Sequence, residues 1–199
     1  MGSREVNVLT GRQKSILIGK ILGDGTLEKN GRYTRLKIAH TDKQREYVLW
    51  VYREFKNFAT QKPKFVWSGS RYGKVGQFRF STYSLPIFDH YRGIFYQGRK
   101  KIVPKTIVDL LKDPLSLAVW YMDDGYKRTD NSGLYLCTSA FTNREHSLLQ
   151  NCLSKNFGIE TNIHYAGGYA RLHIPSRCKY MFCDQIRQFV IPSLEYKLL

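Results

Sequence analysis

The chain has 199 residues, 42% of them hydrophobic, which suffices for a real core and for one or two domains. Its 32 Lys and Arg against 16 Asp and Glu leave a formal net charge of +16, which points to a polyanion, usually nucleic acid, as partner; a merely basic protein or one that binds acidic lipid is the alternative. The basic residues interleave with aromatics along the predicted strands and form no tail, which favours nucleic acid over an acidic lipid surface.

In chain order, the first predicted element is a helix from Gln13 to Gly23, ending in Gly23-Asp24-Gly25. A turn around Asn30-Gly31 leads into a strand, Tyr33 to His40, and Thr41 opens a helix from Asp42 to Phe58. A hairpin follows, Pro63–Ser70 with Gly76–Thr82, turning near Gly73, and then helices at Leu85–Phe95 and Thr106–Leu111. The same order then repeats. A helix from Pro114 to Asp123 ends in Asp123-Asp124-Gly125, with Gly25 and Gly125 as the expected helix stops. A turn at Asn131-Ser132-Gly133 precedes a strand, Leu134 to Ala140, and Thr142 opens a helix from Asn143 to Phe157. A second hairpin, Thr161–Tyr165 with Tyr169–Pro175, turns at Gly167-Gly168, and Cys178–Val190 closes the chain as a helix.

Each half therefore reads αββαββα, an α+β fold with antiparallel sheets and no parallel crossovers. The expected boundaries are 4–97 for the first half, 98–113 for a linker rich in Gly, Lys, Arg and Pro, and 114–199 for the second. A pseudo-twofold pair suits a nearly twofold ligand such as duplex DNA.

The strands alternate with period two. Leu36 and Ile38, Phe78 and Phe80, and Leu172 and Ile174 fall on one face, while Tyr33, Arg35, Lys37, Gln77, Arg79, Ser81, Arg171 and His173 fall on the other. With Lys64, Arg71, Tyr135 and His164, this polar set is the candidate DNA-binding surface, because such side chains reach base edges in a major groove and contact phosphates. An ordinary solvated sheet face is the alternative; acids are scarce on these strands, which favours DNA.

Taken singly, an Asp-Gly after a helix is a common turn. A carboxylate at a helix C-terminus is nevertheless repelled by the partial negative charge of the last carbonyls. Asp24 and Asp124 both stand there, so a compensating cation is expected, and Mg²⁺ suits a few carboxylate oxygens completed by waters and phosphate oxygens. Phosphodiester hydrolysis uses such a centre, which activates a water and stabilises charge on the attacking and leaving oxygens. Buried structural caps are the bland alternative. Ser15, Gly19 and Gly23 lie on one face of the first helix, and that face is predicted to meet the second.

The stretches Leu17-Ile-Gly-Lys-Ile-Leu-Gly-Asp-Gly25 and Leu117-Ala-Val-Trp-Tyr-Met-Asp-Asp-Gly125 resemble the two motifs of the LAGLIDADG homing endonucleases. The second is similar to the Trp-(Phe/Tyr)-Met-Asp-Asp-Gly form of single-chain, two-motif members, and the likeness in element order covers nearly the whole chain. The resemblance implies a saddle of strands over a long asymmetric duplex target, a monomer, and Mg²⁺-dependent cutting of both strands that leaves short 3′ overhangs. Mn²⁺ would substitute for Mg²⁺, and Ca²⁺ would bind without cleavage. It implies Asp24 and Asp124 as catalytic metal ligands, with the carbonyls of Gly23 and Asp123 assisting. It also implies Lys101 and Lys197 as the basic residues near the scissile phosphates; plain phosphate binding is their alternative role. Val119 and Asp123 replace small motif residues, so the second helix is bulkier at the seam and the two catalytic half-sites are expected to differ.

Two other functions fit the family. One is an intron RNA maturase, with or without DNA cleavage; the other is a DNA-binding regulator with dead catalysis, which the retained acids oppose. A-form RNA has a narrow major groove, so strands rich in Arg and Gln lean toward DNA. Cys137, Cys152, Cys178 and Cys183 show no zinc spacing and are expected to be free thiols. With no apolar run of ~18 residues and no signal peptide, the expected location is a mitochondrion, a chloroplast or a bacterial cytoplasm, without secretion.

Overall fold

The computed structural model describes residues 8–70, 73–128 and 132–199. It is α+β with two four-stranded antiparallel sheets, as the alternation predicts. The chain divides into two compact units. One contains the described residues up to Lys14 together with Asp24–Gly93; the other contains Ser15–Gly23 and Ile94–Leu199.

In the first unit, β1 (Thr26–Asn30) and β2 (Tyr33–Thr41) form a hairpin, and β3 (Lys64–Ser70) and β4 (Gly73–Ser81) form another. The sheet order is β1-β2-β4-β3. Gly31 turns the first hairpin at φ 69°, a left-handed conformation that costs a glycine little. Along β2, Thr34, Leu36, Ile38 and His40 are buried while Tyr33, Arg35, Lys37 and Ala39 are half-exposed. The buried face packs with α2 (Arg45–Glu54) and α3 (Pro86–Phe95), whose Tyr47, Val48, Val51, Phe88 and Tyr91 join Phe55, Phe58, Phe78 and Phe80 in the core.

The second unit contains most of α1 (Gly11–Leu22), from Ser15 onward. The hairpin β5 (Tyr96–Gln97) and β6 (Lys100–Lys101) and the short α4 (Ile107–Leu110) give the predicted linker a structure of its own. Then come α5 (Pro114–Asp124), β7 (Gly125–Lys127), β8 (Gly133–Cys137), α6 (Asn143–Phe157), β9 (Asn162–Ala166), β10 (Tyr169–Pro175) and α7 (Ser176–Ile186). Its sheet order, β7-β8-β10-β9, repeats the pattern of the first. Leu134, Leu136, Leu172 and Ile174 face the core, and α5 is buried at every residue from Leu115 to Asp123.

Three local expectations need correction. Thr41 makes no side-chain cap, and a 3-10 turn at Asp42–Gln44 precedes α2, which ends at Glu54 rather than running to Phe58. Residues beyond it turn instead into the Ala59–Thr82 bridge. The closing helix runs Ser176–Ile186 and continues as a 3-10 turn at Arg187–Phe189. Gly125 is no left-handed stop: its φ is −82°, and β7 starts there. It is needed for space, because a Cβ would lie 2.1 Å from the Tyr121 ring and 2.4 Å from the Tyr121 carbonyl oxygen.

Thr142, by contrast, caps α6 fully. Its hydroxyl and the Glu145 carboxylate form a capping box, and Glu145 Oε1 also accepts from the Val103 N–H at 2.9 Å. Burial works to raise the Glu145 carboxyl, but the bonds from Thr142 and Val103 outweigh it and hold the group below its ordinary value of 4.5. Its stabilising contribution is therefore fully present above 4.5 and is lost as pH falls through the lower folded value. Glu145→Ala is expected to cost about 1–2 kcal/mol at neutral pH. Thermal melts of both proteins should show this gap closing in acid; a gap that widens there contradicts the assignment.

None of the four cysteines is in a disulfide; Cys137 is exposed and the others are buried. Among the described residues no helix is long and apolar enough to cross a membrane.

Candidate active site and nucleic-acid interface

The two motif helices meet within the second unit along the predicted face. Ser15 Oγ donates to Asp113 Oδ2 at 2.6 Å, and Asp113 also caps α5 by accepting from the Leu115 N–H. At Gly19 a Cβ would lie 2.4 Å from the Ser116 carbonyl oxygen and 2.7 Å from Val119 Cβ. At Gly23 it would lie 2.4 Å from Asp123 Oδ2. Each bulky departure from the motif on α5 thus faces a glycine on α1 or just past its end, and the seam is asymmetric as expected.

The charge at this seam has no local signature in the sequence. Lys20 Nζ donates to Asp123 Oδ1 at 2.6 Å, with both side chains wholly shielded from solvent. The only hint was a lysine amid the apolar run of the first motif, and nothing local said what it would meet.

Both candidate catalytic lysines point at helix ends. Lys101 Nζ, at the end of β6, donates to the Gly23 carbonyl at 2.5 Å. Lys197 Nζ donates to the Met122 carbonyl at 2.6 Å and reaches the Asp123 carbonyl at 3.3 Å. The Lys197 side chain is buried, and its own carbonyl accepts from the Tyr121 hydroxyl at 2.8 Å. Each motif helix therefore has an ammonium group on the carbonyls just before its acid, where the helix dipole concentrates negative potential. Asp24 follows directly; its side chain is 49% exposed, and its Oδ2 lies 3.6 Å from Nδ1 of the buried His40. Asp124 ends α5 and is half-exposed. At each helix end the carboxylate and the carbonyl before it are hard oxygen donors, the donor type that fits Mg²⁺ or Mn²⁺.

The polar sheet faces differ between the units. In the first, Lys64 pairs with Arg79 and Lys37 with Ser81 in the strand register. With Arg35 they line a concavity of about 210 Å³. Tyr33 and Gln77 are half-exposed on the same strands. Arg71 lies outside the described residues. Glu28, unforeseen on β1, holds Arg35 and stands 3.8 Å from Lys37.

In the second unit, Tyr126, Arg128, Tyr135, His164 and Arg171 line a concavity of about 700 Å³. Tyr135 is only 6% exposed, because Tyr126 stacks on it at 5.2 Å and Arg128 and His164 both bond its hydroxyl. His164 and His173 stack at 4.2 Å, and Arg171 donates to the Tyr126 hydroxyl at 2.6 Å. Tyr126 and Arg128 escaped sequence reasoning, because β7 is three residues long and too short to show alternation.

Two copies of one αββαββα order, each opening on a motif helix with an acid at or just past its end, define a double-motif α+β protein. The chain belongs to the LAGLIDADG DNA endonuclease family, whose model matches residues 14–181. It is 31% identical over 191 residues to the cytochrome b mRNA maturase bI2 of Debaryomyces hansenii, covering 92% of this chain and 72% of that protein. It is 30% identical over 193 residues to the probable intron-encoded endonuclease 1 of Wickerhamomyces canadensis, covering 94% and 84%. The structure of the homing endonuclease I-WcaI bound to its DNA recognition sequence matches with a TM-score of 0.90 and 28% identity, covering 98% of this chain and 89% of that one.

Proposed function

We propose that this chain is a site-specific endonuclease that hydrolyses both strands of a long, asymmetric DNA duplex as a monomer, with Mg²⁺, leaving short 3′ overhangs. One observation carries the reading: each motif helix ends in an accessible acid, and the carbonyls just before that acid hold a lysine ammonium. Structural caps would have no use for acids set against the helix dipole.

Asp24 and Asp124 would hold the metal, assisted by the carbonyls of Gly23 and Asp123. When bound, the ion supplies positive charge for activating water and for the departing oxygen. Lys101 and Lys197 fix the last carbonyls of α1 and α5 and add positive charge where a scissile phosphate gathers negative charge. Arg35, Lys37, Lys64, Gln77, Arg79 and Ser81 of one sheet, and Arg171, His164 and His173 of the other, contact phosphates and base edges.

The test offers the chain a library of duplexes carrying intron-insertion junctions, with Mg²⁺ or with Ca²⁺. Discrete double-strand cuts are expected in Mg²⁺ alone. The similarity to a cytochrome b mRNA maturase supports a second reading, intron RNA binding. Tight binding of intron RNA without cutting of any duplex would replace the first reading by the second. Raising salt from 50 to 200 mM should weaken DNA binding by about 10³-fold, the loss expected when some six phosphates are neutralised; a flat salt response contradicts the assigned sheet faces.

A further inference from the structure

Lys20 and Asp123 form an ion pair in a place where an apolar pair would commonly serve stability as well. Both side chains are fully buried, at 2.6 Å from Nζ to Oδ1. Taking two charges out of water costs more than their mutual attraction commonly returns, so apolar replacements at such sites are often neutral or stabilising. The pair also brings an acid into the last turn of α5, which already ends in Asp124. The best-attested use of a buried polar pair is to fix register between packed elements.

The surroundings fit that use. Asp123 enters only because Gly23 has no side chain, since a Cβ there would lie 2.4 Å from Asp123 Oδ2. Lys20 stands one turn before Gly23 on the same helix. Its ammonium holds one carboxylate oxygen while the backbone of Gly23 takes the space beside the other. Higher up the seam Gly19 lies close against Val119 and Ser15 bonds Asp113, but the acid-bearing ends need their own restraint against approach and sliding. A directional bond of 2.6 Å resists both. It acts at the residue directly preceding Asp124 and about one turn before Asp24.

We propose that Lys20 and Asp123 are positioning residues, an interhelical lock that sets the register of the α1 and α5 C-termini and thereby the aim of the groups that cleave DNA. The inference rests on the endonuclease reading. The lock touches no substrate; it acts through Asp124, which adjoins Asp123, and through Gly23, which packs on the Asp123 side chain three residues after Lys20. A displacement of about 1 Å in such groups can cost about 100-fold in rate.

The test is the paired variant Lys20→Met with Asp123→Ala, because Lys20→Met alone leaves an uncompensated buried carboxylate and invites misfolding. Three quantities are compared with the parental chain: the melting temperature of the metal-free protein, the Kd for a cleavable duplex in Ca²⁺, and the single-turnover cutting rate in Mg²⁺. The lock predicts a melting temperature and a Kd no worse than parental, and a cutting rate lower by about 100-fold that added Mg²⁺ does not restore; recovery at high Mg²⁺ overturns it, since the Asp123 carboxylate then acts on the metal. A variant that cuts at the parental rate overturns the lock while leaving the endonuclease reading intact. A variant whose melting temperature falls together with its rate also overturns it, since the pair is then ordinary structure. A parental chain that cuts no duplex removes the endonuclease reading, and the lock with it.

Discussion

Replacing both acids, Asp24→Asn with Asp124→Asn, is expected to abolish double-strand cutting, by about 10³-fold or more, while leaving a folded protein that still binds DNA. The magnitude follows from removing charged groups that act only as negative charge develops on the phosphate; a single preorganised donor in such a site is worth about 10²–10³. Folding should survive, because Asp24 is 49% exposed and Asp124 half-exposed, and the amide relieves rather than creates repulsion at a helix C-terminus. The single variants should differ. Asp24 stands beside the buried His40 and follows a glycine, whereas Asp124 follows the ion-paired Asp123. Labelling the two DNA strands separately and timing each nick checks this: each single variant should slow one strand more than the other. Equal slowing of both strands by both variants would contradict two distinct catalytic half-sites.

The second large effect is steric. Gly19→Ala places a methyl 2.4 Å from a backbone oxygen, that of Ser116, and 2.7 Å from Val119 Cβ. A carbonyl oxygen within a buried helix cannot rotate aside, so α1 and α5 must separate. Overpacking of this kind costs about 1–3 kcal/mol, which for a chain of this size lowers the melting temperature by about 2–12 °C. Gly93 in α3 is the control, since a Cβ there meets nothing within 4 Å. Gly93→Ala should be neutral or stabilising by up to about 1 kcal/mol. Equal melting temperatures for Gly19→Ala and the parental protein would refute the close helix contact.

What the sequence made legible was whatever repeats or alternates. The matching Asp-Gly ends at Asp24 and Asp124 picked out the two motif helices, and period-two alternation placed Leu36 and Ile38 inward and Arg35 and Lys37 outward. The small face of Ser15, Gly19 and Gly23 foretold the helix contact, because small residues at helical spacing leave room that something must fill. Partners across the fold were not legible. Lys20 and Asp123 are 103 positions apart, and Glu145 and Val103 are 42 apart; in neither case does a local pattern name the other member. Function of a glycine was legible in location and not in cause: Gly125 looked like a helix stop and serves as space for Tyr121. Thr41 and Thr142 carry the same capping preference, with Gln44 and Glu145 three residues on, yet only Thr142 forms the box and only its helix starts where expected.

The most direct test of the central claim is to incubate the parental chain and the Asp24→Asn, Asp124→Asn variant with one duplex library in Mg²⁺ and sequence the ends formed. The parental chain should produce double-strand breaks at a single site with short 3′ overhangs, and the variant should leave the library intact. Breaks at that site by the variant at the parental rate would contradict the assignment of cleavage to Asp24 and Asp124.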